Sequence, residues 1–379
     1  MQSLLPIEAY TSENWFKRER DLLFRPLWQF VALNQPKSFV TRGVAGLSVV
    51  VQNFDGEIKA FENNCLHRLM PLQIASEGKR PLVCAYHGWS YNVDGRVQKI
   101  PFNDPFYRFS EAETANLKLR EFAVHVFGGL VFVNVSAVPV SFEEQFDAEA
   151  LSGLKAASEC LGNEVLVTTF PTRFNWKLAY ENLRYSLHPR YVHPNTLYRL
   201  VNFDVRINEP YLKWMHDYRK TGSLDRESHM SVLRGFSGGG DSDPFLDMPR
   251  YAWHEHVEHY GEKDWYLNWL LFPNLHIASG SGGYAFIIEH HQPISADRTD
   301  LTVYYITGSK KRAYPTSAAV LLAHIEGAEP VLREDIEVME RVQAGLQSHI
   351  PRPTLGDFEQ GNLAIERCYM DVMDGRHVL

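Results

Sequence analysis

The sequence predicts an α+β protein: an all-β domain near the N-terminus, then a larger domain of helices and antiparallel strands. Three observations predict this. Asp55-Gly56 and Asp94-Gly95 each lie between strand-like runs, the signal of a tight hairpin. Ala123 to Val135 is an apolar run interrupted by His125, Gly128 and Gly129, as buried strands require. Beyond residue 138, segments with helical spacing alternate with strand-like ones. The 379 residues suffice for two domains.

In chain order, Thr11 to Trp28 reads as a helix, with Trp15, Leu22, Leu23 and Leu27 among charges and Thr11 or Asn14 as the cap. Val44 to Phe54 and Glu57 to Phe61 form the first hairpin, and Trp89–Val93 with Arg96–Ile100 the second. Phe142 to Cys160 is helical, Leu166 to Phe174 a strand, and Trp176 to His188 a helix ending at Pro189. Between Ile207 and Arg250 the pattern fails, and Gly238-Gly239-Gly240-Asp241-Ser242-Asp243-Pro244 is loop chemistry. Trp265–Phe272, Leu275–Ala278, Gly283–Gln292 and Leu301–Gly308 read as antiparallel strands, Ser317–Glu326 and Val331–Leu346 as helices. The expected divisions are an N-terminal helical segment, 1–38, packing on the C-terminal domain; a β domain, 39–138; and the larger domain, 139–379.

Composition excludes several classes. A net charge of −8 gives no reason to expect nucleic acid or an anionic membrane surface as partner. No run of eighteen apolar residues argues for a spanning helix, and the N-terminus lacks the basic and apolar regions of a signal peptide, so a cytoplasmic protein is expected. Cys160 and Cys368 are expected as buried free thiols.

The chemistry lies in two clusters. Cys65-Leu66-His67 is followed, sixteen residues on, by Cys84-Ala85-Tyr86-His87. Two thiolates and two imidazoles from two loops suit a Rieske [2Fe–2S] cluster, in which two His replace two Cys on one iron. Zinc is the alternative for mixed Cys and His ligands, but its motifs usually bring like ligands together, as C-x₂₋₄-C and H-x₃₋₅-H. Here each half holds one of each.

A second constellation follows Asn175-Trp176-Lys177-Leu178-Ala179-Tyr180-Glu181-Asn182. His188 and His193 are five apart, a spacing that does not share a helix face. Pro189 and Pro194 break the helix so that both imidazoles can reach one point. Asp335 lies within the apolar stripe Leu332, Ile336, Met339, Val342, Gln343 and Leu346, whereas Glu334, Glu337 and Arg341 are expected to face away. A core-facing carboxylate needs a cation: a metal held with two His, as in the 2-His-1-carboxylate sites of non-haem iron, or a buried Arg.

Over nearly its full length the chain resembles the α subunit of a Rieske non-haem iron oxygenase. The resemblance rests on the cluster loops with His87-Gly88-Trp89, Gly129-Leu130-Val131-Phe132-Val133-Asn134, the Asn-Trp-Lys…Glu-Asn run, the paired His, Phe272-Pro273-Asn274-Leu275, and Glu334-Asp335 leading to Val342-Gln343-Ala344-Gly345. It implies a Rieske all-β domain plus a helix-grip (START-like) catalytic domain. It implies Cys65 and Cys84 on one cluster iron, His67 and His87 on the other, and mononuclear Fe²⁺ on His188, His193 and Asp335. It implies a homotrimer in which one subunit's cluster serves the neighbour's iron, O₂ and a small organic substrate as reactants, and hydroxylation, dealkylation or amine oxidation as outcomes. With no nucleotide-binding fingerprint in the chain, electrons are expected from a separate NAD(P)H-dependent reductase or ferredoxin.

One position departs from the pattern. The family carries an acid three residues before the first ligand His, bridging cluster and iron across subunits; here it is Tyr185. A phenol stays neutral near pH 7. Tyr185 and Asn182 are therefore candidate catalytic-site residues, Tyr185 with altered electron coupling and Glu181 as a nearby acid. Trp214, Tyr218, Trp253, Trp269, His276, His290 and His291 are candidate pocket residues, with His290 and His291 facing opposite sides of one strand. Two other functions stay open: a Rieske electron carrier, and a binder of hydrophobic ligands without mononuclear iron.

Overall fold

The computed structural model describes residues 2–34, 38–146, 148–183, 188–200, 233–236, 250–261, 267–279, 283–311, 317–348, 352–356 and 359–375. They form two compact units: Arg20–Phe142, and Met1–Glu19 together with Glu143–Val378. The predicted helix over Thr11–Trp28 is present in pieces. It comprises α1 (Glu8–Thr11), α2 (Glu13–Glu19) and a π-helical turn, Arg20–Phe24, after which the chain turns into a strand.

The Arg20–Phe142 unit is built on a seven-stranded sheet, order β1-β9-β8-β4-β3-β2-β5. Its strands are β1 (Gln29–Leu33), β2 (Phe39–Val44), β3 (Leu47–Phe54), β4 (Glu57–Glu62) and β5 (Glu77–Gly78), then β8 (Glu121–Phe127) and β9 (Leu130–Asn134). A separate ribbon pairs β6 (Ser90–Tyr91) with β7 (Val97–Lys99), and α3 (Glu111–Asn116) follows. The β1 strand begins directly after the expected helix and pairs antiparallel with β9. Both Asp-Gly turns form. Asp55 and Gly56 have φ +52° and +107°, joining β3 to β4. Gly95 has φ +74°, and a Cβ there would come within 2.6 Å of the Phe61 ring, so this turn admits only glycine.

In the second unit, α4 (Phe142–Gln145) and α5 (Ala148–Glu159) precede a six-stranded antiparallel sheet, order β10-β15-β14-β13-β12-β11. Its strands are β10 (Leu161–Thr172), β11 (Leu233–Phe236), β12 (Leu267–Leu271), β13 (Leu275–Ser279), β14 (Ala285–Ser295) and β15 (Arg298–Gly308). Pro171 is accommodated because β10 is an edge strand. The helices are α6 (Trp176–Asn182), α7 (Pro189–Val192), α8 (Leu197–Leu200), α9 (Ser317–Gly345) and α10 (Gln360–Met373). Two expected helices, Ser317–Glu326 and Val331–Leu346, are one: α9 runs through Pro330, whose missing N–H costs one backbone hydrogen bond. Leu332 of α9 joins Leu301, Val303 and Tyr305 of β15 in one core cluster, with Ile325, Ala328, Ile336 and Ile287 packed against it. A long helix therefore lies on one face of an antiparallel sheet. Val342, placed in the apolar stripe from sequence, is 45% exposed, because the buried face runs through Met339, Gln343 and Leu346 and passes it by.

The Asn-Trp-Lys run anchors α6. Asn175 caps it, accepting from the Lys177 amide at 3.0 Å, and donates to Ala296 O at 2.6 Å. Gln343 of α9 accepts from the Asn175 amide at 2.9 Å and donates to Tyr10 O at 3.1 Å. Lys177 Nζ is buried 2.5 Å from Glu19 Oε1, with the Tyr10, Trp176 and Tyr369 rings 5.1–5.4 Å away. Trp176 Nε1 and the Tyr369 hydroxyl also donate to Glu19. Glu181 accepts from the Tyr10 hydroxyl at 2.6 Å, so this acid is engaged with the N-terminal segment. Burial, helped by Glu366, pushes its carboxyl up to about 7 against the hydrogen bond from Tyr10.

Two outcomes follow. Lys177→Met leaves Glu19 buried without its cation and should cost about 3–5 kcal/mol in urea denaturation, with much of the loss recovered when Glu19 is replaced by Met as well. Glu181 binds its proton more tightly folded than unfolded, so its contribution is full below pH 4.5 and lost as pH rises through about 7. Melting temperature should fall more across that window in the native chain than in Glu181→Gln; parallel curves would show that Glu181 does not titrate there.

Candidate functional site

The first site lies in the Arg20–Phe142 unit, on two matching turns. The Leu69 amide donates to Cys65 O at 2.8 Å, and the Gly88 amide to Cys84 O at 3.0 Å. Residues at the same place in each turn are left-handed, Leu69 at φ +59° and Gly88 at φ +73°. The Gly in His-Gly-Trp is thus a turn requirement, and a Cβ on Gly88 would lie 3.0 Å from Pro101. Cys65 and Cys84 are buried and unbridged. Cys65 Sγ lies 3.2 Å from the Tyr91 hydroxyl, which also accepts from the Leu66 amide at 3.0 Å.

His67 Nδ1 and His87 Nδ1 are 3.1 Å apart. The His67 ring stacks on Trp89 at 5.1 Å and meets Tyr107 edge-on at 5.3 Å, which fixes its plane. Burial and the neighbouring His87 lower the His67 pKa, which favours the neutral, ligating form. Burial raises the Cys65 thiol, so a metal is what would hold it as thiolate. Two buried sulfurs and two imidazole Nδ1 atoms with a common focus fit a [2Fe–2S] cluster of mixed ligation.

The second site lies in the other unit. His188 is the N-cap and His193 the C-cap of the single turn α7, with Pro189 at its first position. Proline starts this turn, where its missing N–H costs nothing, and does not end the preceding helix as the sequence suggested. One turn brings the two ring centroids to 5.3 Å. Asp335 of α9 faces them: its Oδ1 is 3.1 Å from His193 Nε2 and 3.5 Å from His188 Nε2. One donor atom from each of the three lies within 4.8 Å of the others. Asn182, at the end of α6, donates from Nδ2 to the same Oδ1 at 2.9 Å. Asp335 therefore meets two imidazoles and an amide, and no Arg among its described contacts. Burial would raise its carboxyl, but the two imidazoles outweigh burial and hold it well below the usual carboxylate range.

Glu334 was expected to face away and does the opposite. Its Oε2 lies 2.7 Å from His193 Nδ1 and accepts from Thr196 Oγ1 at 2.7 Å. Burial lowers the His193 pKa, but Asp335 and Glu334 together raise it above the usual value. With Nδ1–H directed at Glu334, Nε2 is the atom left to face Asp335 and a shared cation. Helical spacing could not reveal this, because Glu334 looks exposed until α7 packs beside it. Tyr185, Trp214 and Tyr218 lie outside the described residues. Trp269, His276, His290 and His291 are buried, whereas Trp253 is half-buried. Cys160 is half-buried and free, and the Cys368 side chain lies outside the described residues.

Two family models cover the two units of the chain. Residues 161–375 match the ring hydroxylating alpha subunit (catalytic domain) model, and residues 29–123 the Rieske [2Fe-2S] domain model. A Rieske domain binds a 2Fe–2S cluster and this catalytic domain a mononuclear iron. The carnitine monooxygenase oxygenase subunit of Escherichia coli (strain K12) is 30% identical over 201 residues, 50% of this chain and 52% of that protein. Chloroplastic choline monooxygenase of Spinacia oleracea is 28% identical over 360 residues, 90% of this chain and 72% of that one. The match to the first of these, as to its counterpart in Acinetobacter pittii (strain PHEA-2), spans about half the relative's length. Among solved structures, the quaternary ammonium Rieske monooxygenase CntA with L-carnitine superposes with TM-score 0.66 at 18% identity, over 97% of this chain and 95% of that one. Naphthalene 1,2-dioxygenase from Rhodococcus sp. gives 0.68 at 16%, over 97% and 94%, a likeness of fold. The chain belongs to the ring hydroxylating alpha subunit family, with a Rieske [2Fe-2S] domain preceding its catalytic domain.

Proposed function

We propose that this chain is the oxygenase component of a Rieske system that uses O₂ to hydroxylate or oxidise a small organic substrate, with dealkylation and N-oxidation among the outcomes. The observation that carries the reading is the convergence of His188, His193 and Asp335 in a chain that also pairs two buried cysteines with two facing histidines. Cys65 and Cys84 would hold one cluster iron, His67 and His87 the other, and the His/His/Asp set a mononuclear Fe²⁺. When bound, the cluster supplies single electrons and the ferrous centre activates O₂. The chain's own residues orient and exclude. Glu334 holds the His193 ring by its Nδ1–H, and Asn182 steadies the Asp335 carboxylate. Leu332 and Ile336, packed on β15, keep the helix–sheet interior apolar around that acid. The relatives act on carnitine, glycine betaine and choline by name, which favours a quaternary ammonium or other small amine here.

The remaining parts of the proposal concern partners and place. Electrons come from a separate NAD(P)H-dependent reductase or ferredoxin. The assembly is a homotrimer: Leu69, Ile74, Tyr86, Phe102 and Phe106, near the cluster loops in sequence, are each more than half exposed, a supply of apolar surface suited to a second copy of this chain. Tyr185, three residues before His188 where the family carries an acid, would alter the electron coupling between subunits. No described helix is long and apolar enough to cross a membrane; a cytoplasmic location, without membrane or nucleic-acid partners, is proposed.

Purified protein should carry about three irons per chain and show a Rieske EPR signal after dithionite treatment. Two irons would support the carrier or binder instead, and zinc would overturn the cluster assignment. Asp335→Asn should lose mononuclear iron while keeping the cluster signal. Glu334→Gln should weaken ferrous-iron affinity about 10–100-fold, again with the cluster unchanged, and Glu334→Asp should restore part of it. Unchanged iron affinity in Glu334→Gln would remove Glu334 from the positioning role.

A further inference from the structure

The helix-facing side of the second unit's sheet carries a polar group that the iron site does not use. Glu289 and His291 are two apart on β14 and share a face, and His276 of β13 is registered opposite Glu289. Glu289 Oε2 lies 3.3 Å from His276 Nδ1 and 3.4 Å from His291 Nε2. All three are more than nine-tenths buried. The contacts are close enough for charge pairing but are not aligned as hydrogen bonds. All four ring nitrogens of His276 and His291 lack a hydrogen-bond partner among the described residues. So do the Tyr305 hydroxyl, on the adjacent β15 and the same face, and both nitrogens of His324 on α9, whose ring meets Tyr305 at 5.8 Å.

This face is the one α9 covers. Leu301 and Val303, the cross-strand partners of His291 and Glu289, pack in one cluster with Leu332, against which Ile336 also lies; these helix residues bracket Asp335. His290, pointing the other way, instead approaches Asn274, 3.4 Å from its Nδ2. Buried polar atoms are nearly always satisfied, and a group left unpaired is costly, so such a concentration on the face against which α9 packs points to a ligand that completes it. Burial would raise the Glu289 carboxyl, but His276 and His291 more than offset that and hold it at about 2, so an ionised acceptor faces the interior across the neutral pH range.

We propose that His276, Glu289 and His291 form the substrate-anchoring site, and that they take a ligand bearing an O–H or N–H donor. The donor pairs with Glu289, and the imidazoles flank it. The inference rests on the oxygenase reading and adds substrate chemistry to it. A bare arene, or a quaternary ammonium group with no other polar atom, offers no such donor and leaves Glu289 with its imidazole contacts alone. A site built for a hydrogen bond discriminates strongly against an analogue lacking it.

The test is calorimetric binding to the full-length, iron-loaded protein, without turnover, using two pairs that differ by one hydroxyl: choline with n-propyltrimethylammonium, and benzyl alcohol with ethylbenzene. The hydroxyl member of at least one pair should bind about tenfold tighter or more. That ratio should fall severalfold in Glu289→Met and by less in Glu289→Gln, which keeps a neutral acceptor. His276→Asn, which leaves Glu289 in place, gives a second test if the Glu289 variants do not fold. Iron content and the Rieske EPR signal, measured on the same samples, should match the native protein, which separates failure of this site from failure of the oxygenase reading. Equal binding within both pairs, binding of none, or a ratio that persists in every folded variant overturns the proposal.

Discussion

A carboxylate cannot rest in an apolar helix–sheet interface unencumbered, and the catalytic unit is arranged around that constraint at Asp335. Its Oδ1 receives the Asn182 amide from α6 and faces the imidazoles at both ends of α7. Three helices are therefore tied at one oxygen. The tie has meaning only if each helix is independently placed, and each is. Leu332 seats α9 on β15, Pro189 fixes the start of α7, and the Asn175 cap with the Lys177–Glu19 pair fixes α6. Removing the acid would leave two imidazoles with nothing to converge upon.

The buried Lys177–Glu19 pair shows how a polar interaction can set position at little net gain in stability. A buried ion pair seldom outperforms apolar packing in free energy. Here it has many partners: three aromatic rings around the ammonium, and an indole and a phenol donating to the carboxylate. Such a set has one good arrangement, so α6 has one register. Asn182, five residues after Lys177, inherits that register and meets Asp335 at 2.9 Å.

Much of this was legible in the chain itself, for identifiable reasons. The candidate cluster residues Cys65, His67, Cys84 and His87 could be grouped from sequence because each pair lies on one short turn, where sequence neighbours are spatial neighbours. His188 and His193 were readable for a similar reason, although proline's part was misjudged: it opens a turn. Asp335 stood out as a charge in an apolar stripe. Glu334 did not, because its partner His193 lies 141 residues away and only tertiary packing brings the two together. The continuity of α9 was hidden by Pro330, a case in which packing overrides local preference. The buried His276–Glu289–His291 set could be seen only as scattered polar residues until the strand register put them on one face.

The twin turns of the Rieske domain close on the same left-handed position, filled by glycine in one and leucine in the other. Gly88 adopts the left-handed backbone freely, whereas Leu69 holds it at a cost of order 1–2 kcal/mol. Leu69 is also 70% exposed. A residue that is both conformationally strained and unshielded gains nothing from its own domain. Local backbone tension is thus held in a turn that presents a hydrocarbon side chain to solvent two positions from His67.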